Sequence, residues 1–135
     1  MTARRRDAAH AIAVAGLAGV FVYQGLVPKV WKADPSEVAL WEAHGLDRAR
    51  ATQIVRAVGA VEATFGLVTL ARRNRRWPFV IALAAMPAVA IAATTTDRSL
   101  ASKNFSPVSL GLAVVCLAGV ALATRREASP SRSRR

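Results

Sequence analysis

The chain has 135 residues, 53% of them apolar, and a formal charge of +11. The length is one domain's worth, and so large a basic excess on so apolar a chain excludes an ordinary soluble globule. A single cysteine, Cys116, excludes an intramolecular disulfide and dithiol chemistry.

The two properties coexist because they are segregated. Apolar residues fall in four blocks, 8–27, 51–70, 77–96 and 105–124, each close to the roughly 20 residues that cross a bilayer as a helix. The first block follows Arg4, Arg5 and Arg6, an order that a signal peptide shares. Its end, "VYQGLVPK", has no small-x-small cleavage pattern, so retention as a helix is the preferred reading. Ala11, Ala15 and Gly19 recur at steps of four and predict a smooth face for close helix contact, unless they merely reflect an alanine-rich composition.

Between the first two blocks, "KADPSEVALWEAHGL" carries the signals of a short helix. Asp34 suits the N-cap, Pro35 the first helical position, Glu37 the third, and Gly45 the stop. Val38 and Trp41 share a face, and Trp31 and Trp41 suit the membrane interface, so the helix is expected to lie over the mouth of the bundle as a lid or a plain interfacial anchor.

The second block is the least apolar, with Thr52, Gln53, Arg56 and Glu62. The arginines nevertheless require it to cross. With four spans and both termini cytoplasmic, the inner segments hold twelve of the 19 basic residues, including Arg72, Arg73, Arg75 and Arg76, which is the asymmetry that orients membrane proteins. Glu62 then lies 11 residues from the outer end of its span and 8 from the inner end, where an ionised side chain costs a few kcal/mol. It is expected to face the bundle and to be neutral unless paired. Gly59 and Gly66 share its face and admit a neighbouring helix. Arg56 is a poor partner, because six helical residues place it about 9 Å away along the axis, and its side chain is expected to lean outward.

In the third block, Pro87 has no N–H and frees the carbonyl of Leu83 at a depth near that of Glu62. Protonated Glu62 is expected to donate a hydrogen bond to that region. In the fourth block, Cys116 reads as a small core residue. His10 and His44 lie at opposite ends and cannot share a haem, and no Cys/His spacing suits a metal. Asn104-Phe105-Ser106 matches a glycosylation sequon but hugs the membrane and precedes Pro107. Residues 125–135 read as a basic, disordered cytoplasmic tail. No aromatic residue interleaves with the arginine clusters, which abut the spans, so anionic lipid explains them better than nucleic acid.

"YQGLVPKVWKADPSEVALWEAHGL", "VGAVEATFGL" and "ASKNFSPVSLGLAVVCLAGVAL" together resemble the DoxX-like family over about residues 16–124. The pieces that carry the resemblance are Gly25-Leu26-Val27-Pro28-Lys29, Gly59 and Glu62 with Gly66-Leu67, Pro87, and Phe105 with Pro107-Val108-Ser109-Leu110. With the blocks and the short helix read above, the expected fold is a single all-α domain over residues 1–124, a four-transmembrane-helix bundle with a short interfacial helix in its first outer loop, and the resemblance implies a four-helix protein of the bacterial inner membrane. It also implies an association with redox chemistry, including quinone-linked sulfur oxidation and oxidative-stress complexes.

Three functions are compatible with these residues. The first is a membrane subunit or anchor of a redox assembly, without a redox centre or catalytic site of its own, that holds a quinone or another lipid-soluble ligand near Glu62, Lys29, Arg56 and Gln24. The second is a passage for protons or small molecules with Glu62 as its station, weakened by the absence of a second acid along the path. The third is a structural or assembly protein. Gly59, Gly66, Pro87 and Pro107 are expected to be structural, and the expected partners are the lipid bilayer, a redox enzyme subunit and further copies of the chain.

Overall fold

The computed structural model describes residues 2–96 and 107–125. Among them every regular element is helical: α1 (Ala3–Gln24), continued without a break by a π-helical segment (Gly25–Trp31), then α2 (Pro35–Glu42), α3 (Arg48–Ala71), α4 (Trp77–Thr96) and α5 (Pro107–Thr124). Two helices, Ala3–Trp31 and Arg48–Ala71, are long and apolar enough to cross a membrane. The apolar stretches of α4 and α5 are shorter, Trp77–Ala92 and Val108–Thr124. Arg98, Lys103, Asn104, Phe105, Ser106 and the tail beyond Arg125 lie outside the described residues.

Helix α1 is the centre of the packing. It contacts α3 on one side and α5 on another, α4 packs mainly on α5, and α3 meets α4 only sparsely. The main core joins Val14 and Leu17 of α1 to Phe79 and Ala82 of α4 and to Val114, Ala118 and Ala121 of α5. Phe21 and Phe65 add an edge-to-face contact between α1 and α3, with ring centroids 4.8 Å apart.

The expected stripe of Ala11, Ala15 and Gly19 is not the contact face. All three are exposed, and a Cβ on Gly19 would meet nothing within 4 Å. Helix α1 buries Ala13, Val14, Leu17 and Ala18 instead, because a helix wedged between two neighbours needs side-chain volume to fill the space between them. The reading of Cys116 as a core residue fails as well, since it lies exposed on α5 while Val114 and Ala118 point inward.

Close approach is reserved for the next stretch of chain. A Cβ on Gly25 would collide with the backbone carbonyl of Gly59 and lie 2.6 Å from the Ala63 nitrogen, and one on Gly66 would lie 2.8 Å from the carbonyl of Ala18. Small residues thus let the π-helical segment and α1 lie directly against α3.

Helix α2 forms as its residues dictate. Asp34 caps it, accepting from the Ser36 backbone N–H at 2.8 Å and from the Ser36 hydroxyl at 2.5 Å, with Pro35 at the first position. These hydrogen bonds, the hydroxyl foremost, hold the Asp34 carboxyl below its usual value. Val38 is buried against Ala51 and Val55 of α3, flanked by Trp41 and Leu46. The turns into and out of this helix use left-handed backbone at Ala33 (φ 47°) and Gly45 (φ 87°). The latter is the conformation for which glycine carries no steric penalty.

Candidate functional site

Pro28 shapes the site. Without an N–H it cannot make the hydrogen bond that would continue α1, and the chain widens into a π-helical turn in which the Lys32 N–H reaches back to the carbonyl of Val27 at 3.1 Å. Lys29 follows Pro28 in this widened turn and faces α3. Its stem packs on the bare backbone of Gly59, where a Cβ would crowd the Lys29 side chain.

The ammonium of Lys29 donates to Glu62 Oε1 at 2.5 Å. Its second partner is Glu37 Oε2 of α2, at 3.6 Å. The Lys29 side chain is only 13% exposed, against 28% for Glu62 and 36% for Glu37. One cation from the π-helical turn is therefore shared by a carboxylate from a long apolar helix and one from the covering helix. The other oxygen, Glu62 Oε2, is buried without a hydrogen-bond partner. Burial pushes the Glu37 carboxyl up, partly offset by the charge of Lys29 and reinforced by the charges of Glu62 and Asp34.

The expected bond from Glu62 to the carbonyl of Leu83 is not made. Helix α3 lies against α1 and its π-helical extension rather than against α4, so the partner comes from Lys29, while Leu83 packs on the main core and Pro87 is exposed. Arg56 is exposed and has no ionic partner among the described residues. Gln24 is half-buried at the junction of α1 and the π-helical turn. Of the four residues expected around a ligand, Lys29 and Glu62 are thus joined directly, Gln24 lies one turn before Lys29, and Arg56 faces elsewhere. In the sequence Glu37 appears only as part of a capping signal, and the clue to its second role is that only three residues separate Trp31 from the start of α2. Pro107 opens α5. No group of three or more metal-binding side chains occurs among the described residues.

A half-buried ion pair between two apolar helices, beside a short capped helix, defines the class: an all-helical membrane protein with a polar cluster where the π-helical turn meets the middle of α3. The family model of the DoxX-like family matches residues 18–119, and the chain belongs to that family. No match was found among curated proteins or among solved structures.

Proposed function

We propose that this membrane protein is a four-span subunit or anchor of a redox assembly, with both termini and the α3–α4 loop on the cytoplasmic side of the bacterial inner membrane. The Lys29–Glu62 pair is the place where it receives the headgroup of a quinone or another lipid-soluble ligand. The observation that carries this reading is the half-satisfied pair itself. Lys29 has more N–H groups than its close contact with Glu62 uses, and Glu62 Oε2 is a buried acceptor without a donor. That donor and acceptor suit a headgroup with carbonyl and hydroxyl oxygens: Lys29 would donate to the carbonyl and Glu62 would accept from the hydroxyl. Such a ligand, when bound, supplies two-electron and two-proton chemistry. The chain's own residues bind and orient it.

A structural reading has support of its own in the close approach of Gly25 to Gly59, beside which the ion pair ties the π-helical segment to α3. Purification from native membranes in mild detergent, with mass spectrometry of every retained protein and lipid, separates the two. Stoichiometric retention of an oxidoreductase or a quinone, with the quinone lost from Lys29→Met, supports the redox reading. Recovery of the helices alone overturns it and leaves the structural one.

A further inference from the structure

Two carboxylates and one ammonium meet where α2 covers α3. With all three ionised the cluster carries one uncompensated negative charge in a half-buried place, and burying unpaired charge is costly. The cluster reaches neutrality by taking up a single proton, and the two carboxylates are not equivalent hosts for it. Glu62 holds Lys29 at 2.5 Å, whereas Glu37 has only the longer contact of 3.6 Å and is the more exposed of the two. A proton placed on Glu37 leaves the close Lys29–Glu62 pair intact, whereas one placed on Glu62 gives up the better contact.

We propose that Lys29, Glu37 and Glu62 form a proton-exchange site open to the aqueous phase on the α2 side, with Glu37 as the group that takes the proton from water. The O–H bond formed on Glu37 replaces one O–H bond of a hydronium ion, which leaves as water. The groups that face Glu37 are Lys29 from the π-helical turn, Glu62 from α3 and Asp34 from the cap of its own helix. The elevation that burial gives Glu37 acts in the same direction. The site also supplies the second acid whose absence counted against proton passage at Glu62. A ligand held by Lys29 would then bind with uptake or release of a proton at Glu37, a consequence that rests on the ligand reading above.

The site itself does not rest on it, and its test is made without ligand. Infrared difference spectra of the full chain in phospholipid nanodiscs, recorded on stepwise acidification, follow the C=O stretch of protonated carboxyls. The expected result is a protonated carboxyl that appears above the ordinary glutamate value of 4.5 and is missing from Glu37→Gln. In Glu62→Gln, Glu37 has Lys29 to itself and no neighbouring anion within the cluster, so its midpoint falls by about one pH unit. If the elevated band survives in Glu37→Gln, or if Glu62→Gln leaves the midpoint unmoved, the proposal is overturned. Should Glu62→Gln not fold, Lys29→Gln gives the opposite shift, a rise, and an unmoved midpoint there is equally fatal. Absence of a quinone from the purified protein leaves these outcomes unchanged, so the two readings fail separately.

Discussion

Where α1 begins and α5 ends, basic side chains are spent on backbone carbonyls. Arg6 donates to the carbonyls of Thr124 and Arg125 at 3.2 and 3.0 Å, and Arg125 donates to that of Asn74 at 3.1 Å. His10 sets Nδ1 3.0 Å from the Ala121 carbonyl and Nε2 3.1 Å from that of Arg73. These oxygens belong to the last turn of α5 and to the chain just beyond α3, where unpaired carbonyls and the helix dipole favour positive partners. At the α2 end, Lys29 gives its N–H groups to carboxylates instead. Backbone carbonyls do not titrate, and carboxylates do, ordinarily at about pH 4. One end therefore pairs its donors with oxygens of fixed charge state, and the other pairs its donor with oxygens that can take up a proton.

The comparison meets its strongest test at Gly25. A methyl group there runs into the backbone of Gly59 and Ala63, which cannot move aside as a side-chain end can. Gly25→Ala is expected to cost about 3 kcal/mol, the upper range for overpacking, and to separate Lys29 from Glu62. Gly19→Ala, with open space around its Cβ, is expected to stay within about 0.5 kcal/mol of the parent. Reversible unfolding in mixed micelles compares them, and equal stabilities would mean that the π-helical segment does not lie on α3 as described.

Lys29→Met ranks next. Removing a partner from a buried pair costs about 3–5 kcal/mol when both charges are fully desolvated. Because both side chains are only half-buried by the protein, desolvation is incomplete, and about 2 kcal/mol is expected. Adding Glu62→Gln should recover most of the loss, since the orphaned charge is then gone, and a double-mutant cycle in the same unfolding assay gives the coupling directly. An additive double mutant would show that the contact carries no energy.

The sequence makes Glu62 conspicuous and leaves its partner hidden. A carboxylate among apolar residues is visible by hydropathy alone, and Asp34, Pro35 and Gly45 mark α2 by local chemistry that needs no tertiary information. Lys29 stands in the sequence only as one of the residues expected around a ligand beside Glu62, and it is the π-helical turn after Pro28 that shows it directed at α3 as the carboxylate's partner. The contact face of α1 was hidden for another reason. A helix that is apolar all round offers no amphipathic stripe, so small-residue spacing was the only guide, and the neighbours chose a different face.

The smallest expected effect sharpens the contrast through pH, because Asp34 and Glu37 are shifted in opposite directions. Asp34 lies below its ordinary value of 3.8, chiefly through the Ser36 hydroxyl, so its capping contribution is present above that value and is lost as pH falls through the depressed one. Glu37 lies above its ordinary value of 4.5 because of burial, so the docking of α2 is favoured below that value and loses this contribution as pH rises through the elevated one. Helix α2 should therefore be best protected from about pH 4 to 4.5, and less protected on either side. Amide exchange at Val38 to Trp41, corrected for the intrinsic pH dependence of exchange, reads this optimum. Asp34→Ala should lower protection by about 1 kcal/mol and remove its acid limb, because the N-cap is lost. Glu37→Gln should remove only the alkaline limb. If both limbs persist in Glu37→Gln, the charge that changes at this end of the molecule is not on Glu37.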